Sequence, residues 1–347
     1  MNNVGLSSSL RAPQFTREIQ RLQELYGDAQ SQLTSGRPSD LALTLGSNVG
    51  RFVNLESQVS SLESFVASND IVKSRLEVAG SAAGLLQESG DSFSRGLIAG
   101  AAGILERDDL ARLAKAFTQD IESFGRTTYG GMYVLSGVSS DKPAVREFFD
   151  KLSSGRVLVA ESFRNVFGID FSDPSAAALS SAQIGDWINN EFSELFSDDN
   201  WLNSWTDASG VGAKARIGEN KVVTLSVASD AALRKVVMAS VLMLEFPESA
   251  VNESALSEVI RSSLSTVQDG LKDLTSFRTA NDVIIKRLED ANESALRQKD
   301  IYTATVSSLV QVDSFELAVR IEDLRTRLEA SYMTTARLNQ LSLVNYI

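Results

Sequence analysis

Five prolines interrupt 347 residues, at positions 13, 38, 143, 174 and 247. Proline halts helix propagation, so the stretch between Pro38 and Pro143, and everything after Pro247, is free to form helices far longer than the three turns usual in a globular domain. Residues 248–347 contain a single glycine, Gly270, from which a helix can run almost unbroken to Ile347. A helix of that length is stable only if its apolar stripe is buried against a partner.

Such stripes are present. Phe15, Ile19, Leu22, Tyr26, Ala29 and Leu33 are spaced 4, 3, 4, 3, 4, a heptad seam that stops at the breaker TSGRPSD. Near the other end, Leu317, Ile321, Leu324 and Leu328 repeat the pattern, which continues less regularly through Tyr332, Leu338 and Leu341. The closing residues Leu343, Tyr346 and Ile347 are apolar where a terminus is usually polar. Both ends therefore read as coiled-coil strands, and these residues are the expected assembly interface.

A second pair of seams lies inside the first. Leu62, Phe65, Asn69, Val72, Leu76, Ala79 and Ala83 keep heptad spacing, as do Leu274, Phe277, Asn281, Ile284, Leu288, Ala291 and Ala295. NDIVKSRLE from Asn69 matches NDVIIKRLE from Asn281, either as a faint internal repeat or as the similarity of two amphipathic helices. Each seam carries one asparagine, and a polar residue there fixes register at a cost in stability. Asn69 and Asn281 are thus expected to set helix alignment, and leucine at either should raise thermal stability while loosening assembly specificity.

Between these seams, DDLARLAKAFTQDIESF reads as a helix capped by Asp108 or Asp109, followed by a glycine turn into a strand at YGGMYVLSG. GLIAGAAGIL carries a GxxxG spacing at Gly96 and Gly100 that suits close helix packing. From about 139 to 247 the character changes. Three prolines and the three tryptophans (Trp187, Trp201, Trp205) fall here, with strand-like runs RVLVA, NVFGIDF and KVVTLSV. ARIGENKVVTLSV reads as a hairpin turning at Gly218 to Asn220, and DAALRKVVMASVLMLEF as a helix from Asp230 to the stop at Pro247. The fold class is mainly α with an inserted mixed α/β domain.

Chemistry is sparse. With no cysteine and no histidine, the chain lacks thiolate sites, disulfides, the usual zinc ligands and the commonest general base. Its serines have no obvious activator, so no catalytic, cofactor or metal residue is assigned and the chain is not expected to be an enzyme. GVGAKA, Gly210 to Ala215, imitates a dinucleotide loop but follows no buried strand. The pairs Asp108/Asp109 and Asp198/Asp199 suit caps and solvated turns. A net charge of −12 repels nucleic acid. No cleavable secretory signal and no membrane span are expected, since the longest small-apolar run is ten residues.

The N-terminal seam closing in LTSGRPSD, the segment GGMYVLSGVSSDKP and the ending LNQLSLVNYI together resemble the flagellin family, over about the first 143 and last 80 residues. The chain departs from the family pattern where Asp40 is followed by Leu41 and where FGRTTYGG lacks an asparagine before its turn. The resemblance implies residues 1–45 and 303–347 as terminal assembly helices of an inner layer, 46–138 and 248–302 as a helical rod, and 139–247 as an outer insert. It implies a structural subunit joining hook to filament, exported through the flagellar type III apparatus with its N-terminus uncleaved. The partners implied are copies of itself, the hook-side junction protein, flagellin and an export chaperone. On this reading the two ends are unfolded in the isolated chain and fold as they assemble. The filament subunit itself and a non-flagellar secreted helical scaffold are the alternatives.

Overall fold

The computed structural model describes residues 5–209, 211–218, 221–224 and 230–344, with side chains of 5–13, 221, 230 and 338–344 left out. In chain order the elements are α1 (Gly5–Ser35), α2 (Leu41–Leu45), α3 (Val49–Ala101), α4 (Arg107–Gly125), β1 (Thr128–Tyr129), β2 (Met132–Tyr133), α5 (Ser154–Phe167), α6 (Ser181–Trp187), α7 (Asp198–Asn200), β3 (Lys214–Gly218), β4 (Lys221–Thr224), α8 (Asp230–Glu245), α9 (Glu253–Val310) and α10 (Ser314–Val344). The chain divides into two compact units, one of residues 1–64 with 295–347 and one of residues 65–294.

In the first unit α1 packs on α10, and the start of α3 packs with α2 on the end of α9 through Leu45, Phe52, Val306 and Val310. The Asp40 carboxylate accepts from the backbone N–H of Leu43 and caps α2, so the aspartate before Leu41 has a structural task of its own. The expected C-terminal helix is corrected in two ways. It begins well before Gly270, and it breaks at residues 311–313, where Asp313 accepts from the N–H groups of Phe315 and Glu316 and starts α10 afresh. Gly270 stays helical because its bare Cα lets α8 approach. A Cβ there would meet Lys235 and Val236 at 3.0 Å.

In the second unit α3 and α9 run antiparallel. Asn69 meets Asn292, Lys73 meets Glu289 and Gln87 meets Thr275, so the two numbers in each pair sum to nearly the same value. The GxxxG glycines do pack closely: a Cβ on Gly96 would overlap Leu113 of α4, and one on Gly100 would lie 2.7 Å from Leu110. The cap of α4 is Glu106 rather than Asp108 or Asp109. Asp109 sits one turn in and accepts from the Glu106 N–H at 3.3 Å, which is how an acid at the third helical position serves the helix end.

The glycine turn into a strand expected at YGGMYVLSG proves to be the turn of a hairpin, β1 paired with β2, with Gly130 and Gly131 both at positive φ in its two-residue turn. RVLVA, by contrast, is helix α5. Its buried positions Arg156, Val159 and Phe163 recur at helical spacing, and Phe163 stacks on Phe171 with Trp187 and Phe246 edge-on, a packing gain that outweighs local strand preference. α5 ends at Gly168 in the left-handed conformation, which also breaks the run NVFGIDF. Trp187, Trp201 and Trp205 are buried in the same core as Phe93, Phe117 and Ile121.

β3 and β4 form the antiparallel hairpin read from ARIGENKVVTLSV; its turn, Glu219 and Asn220, lies outside the described residues. Ile217 is left without an opposite partner by an irregularity between Arg216 and Gly218. GVGAKA leads into β3, not into a helix N-terminus, so it offers no phosphate cradle; Gly210 itself lies outside the described residues.

Candidate assembly interface

The α1–α10 seam is thin. Leu22 and Ala29 of α1 and Leu317 and Leu324 of α10 are buried, with Tyr26, Ile321 and Leu328 half-buried around them. Phe15 and Ile19 are half-buried, while Leu33 and Tyr332 are exposed. The helices run antiparallel, since the Gln23 amide donates to the Tyr332 hydroxyl at 2.6 Å while the Val312 N–H approaches the Gly36 carbonyl. Leu338, Leu341 and Leu343 lie on the α10 backbone, but their side chains are outside the described residues, as are Tyr346 and Ile347 entirely.

α10 has a second apolar stripe that the heptad pattern did not bring out. Phe315, Val319 and Met333 are exposed, Phe315 by 80%. At about 100° per residue they lie on the opposite side of the helix from Leu317, Ile321 and Leu324. Only the first stripe is covered by α1. The signal was legible as a further spacing of 4 and 14 residues, but the stronger seam masks it. The charges between the stripes are paired along the helix, Arg325 with Glu322 and Glu329 and Arg327 with Asp323. They neutralise one another locally and leave the apolar stripes as the feature that seeks a partner.

The two seam asparagines are both buried and do not meet each other. Asn69 donates to the Ile217 carbonyl at 3.2 Å and to Asn292 Oδ1 at 2.8 Å, and Asn292 in turn donates to Asp70 at 2.8 Å. Asn281 donates to the Leu76 carbonyl at 3.2 Å. Around them run Lys73–Glu289 and the Arg278–Gln87 hydrogen bond, which tie α3 to α9 at the rim. Lys73 is held above its usual range first by its hydrogen bond to Glu289 and then by that carboxylate's charge.

Among the described residues no group of acidic side chains could hold a metal ion, and no helix is long and apolar enough to cross a membrane.

Residues 7–140 match the bacterial flagellin N-terminal helical region and residues 264–347 the bacterial flagellin C-terminal helical region. Together the two matches take in well over half of the chain, and it belongs to the flagellin family. Its role is that of a structural protein of the bacterial flagellum. No curated protein matches it. Among solved structures it is similar to one described provisionally as a flagellar hook-associated protein from Vibrio parahaemolyticus, at 13% identity and a TM-score of 0.47, over 74% of this chain and 95% of that one. A likeness at that level decides nothing about role.

Proposed function

We propose that this chain is the subunit that joins the flagellar hook to the filament and that it assembles through its terminal helices. The observation that carries the assembly reading is the two-sided α10: a helix apolar on opposite faces needs two partners, and α1 supplies one. Neighbouring subunits and adjoining axial proteins, the hook-side junction protein below and flagellin above, supply the other. The junction reading in particular draws on the closing LNQLSLVNYI, which resembles hook-associated members more than filament subunits. A head-to-tail contact of this kind generates rings and tubes rather than closed dimers. Before assembly, an export chaperone would shield the same stripe, and passage through the type III apparatus with an uncleaved N-terminus would deliver the chain unfolded. Residues 1–45 and 303–347 are the proposed assembly segments, 46–138 with 248–302 the rod, and 139–247 the insert. Asn69 and Asn281 hold the rod helices in register.

The test is deletion of the gene in its host, with electron microscopy of the cell surface and an assay of the medium for unassembled flagellin. Bare hooks with shed flagellin are expected. Bare hooks without shed flagellin would make this the filament subunit, and normal filaments would place the chain outside the axis as a secreted scaffold.

A further inference from the structure

The β3–β4 hairpin lies on the α3–α9 seam, with Ile217 and Val223 packed on Leu76, Ile284 and Leu288. Among the described residues β4 pairs with β3 along one edge only. Beside it opens a groove of about 700 Å³, bordered by Val222 and Thr224 of β4 and by Thr279, Val283 and Arg287 of α9, with no residue of β3. The strand edge that β3 leaves unpaired therefore faces the groove. Val222 and Val283 are exposed on its two walls. An edge of this kind presents main-chain donors and acceptors that an added strand would satisfy.

The internal similarity says what else the groove wants. Aligning NDIVKSRLE with NDVIIKRLE matches Arg75 with Arg287. Arg75 donates to the main-chain carbonyl of Tyr133, the last residue of β2, at 3.0 Å. Arg287 borders the groove beside β4 and has no hydrogen-bond or ion-pair partner among the described residues. Of the two matched arginines one is satisfied within the chain, and the other has no such partner among the described residues.

We propose that this groove docks an extended segment of a second copy of the chain, which adds to the free edge of β4 and sets a main-chain carbonyl or a carboxylate against Arg287. The occupant is a second copy because among the described lining residues the groove's only formal charge is the cationic Arg287, the chain carries a net charge of −12, and the flagellin family builds assemblies from copies of its own subunits. The contact is separate from the terminal helices and does not depend on the junction reading.

The experiment places a photo-crosslinking amino acid at Val283 in the full-length chain under assembling conditions and maps the products by mass spectrometry. Crosslinks between two copies are expected. Arg287→Glu should lower their yield about ten-fold, the loss of one charge-assisted hydrogen bond, and Arg287→Lys should retain most of it. Arg287→Ala should leave the melting temperature of the unassembled chain unchanged, whereas Arg75→Ala should lower it. Crosslinks confined to the chain's own residues, crosslinks to other proteins only, or a yield indifferent to Arg287→Glu would overturn the proposal. Phe315→Ser separates it from the terminal-helix reading: polymers lost with the groove crosslink retained counts against neither the groove nor its occupant, and polymers retained with no groove crosslink overturns the groove alone.

Discussion

The amide of Asn69 bridges to Asn292 on α9 at 2.8 Å and to the carbonyl of Ile217 at 3.2 Å, and Ile217 is the residue its own strand ladder leaves unpaired. Asn281 makes one such bond, to a carbonyl within α3. The two asparagines, alike in sequence, should therefore respond differently to leucine. Asn69→Leu leaves the Ile217 carbonyl and Asn292 Oδ1 without their donor and should cost about 1–3 kcal/mol. Asn281→Leu should be neutral or stabilising within about 1 kcal/mol, since its partner carbonyl already lies inside a helix. Chemical denaturation of both variants checks the contrast; equal effects would remove the hairpin from the account.

Glycines on α3 should split the same way. A Cβ at Gly96 overlaps Leu113, so Gly96→Ala should destabilise by about 1–3 kcal/mol through overpacking. Gly80 has nothing within 4 Å, and Gly80→Ala should stabilise by about 0.5–1 kcal/mol. Thermal melts of the pair read both signs.

The second stripe of α10 gives a prediction about assembly. Phe315→Ser should leave the melting of the isolated chain unchanged and abolish polymerisation, whereas Leu324→Asp, which buries a charge in the α1–α10 seam, should loosen the pair itself. Hydrogen exchange at α1 and α10 should be fast in the isolated chain and slow in the polymer. Protection of both helices in the isolated chain would count against folding on assembly.

Acid stability should depend on Glu248. Its carboxyl is held below the ordinary value of 4.5, first by the hydrogen bond from Lys115 and then by that from Lys151. The folded chain thus releases this proton more readily than the unfolded one, so the contribution is present above about pH 4.5 and is lost as pH falls below it. In a melting series across that range, Glu248→Gln should flatten the acid limb and leave behaviour above pH 6 with a constant offset.

Periodicity made the long helices legible, because heptads report a buried face wherever it lies. The seams at 62–83 and 274–295, the glycine contacts of α3, the glycine turn before β2 and the β3–β4 hairpin follow from local pattern. What local pattern missed was decided at long range. Val157 and Val159 suggested a strand, and the aromatic cluster around Phe163 made a helix of them. The Asn69–Ile217 bond joins residues 148 apart, and no spacing in the sequence announces it. Phe315 and Val319 were missed for a different reason, since a helix with two apolar faces has no single direction for a pattern to point to.

Trp187, Trp201 and Trp205 all lie in the core of the unit formed by residues 65–294, and the other unit has none. Intrinsic indole emission is consequently blind to α1 and α10, while far-ultraviolet circular dichroism counts every helix. A temperature ramp followed by both signals on one sample would separate melting of the core from fraying of the ends without any label.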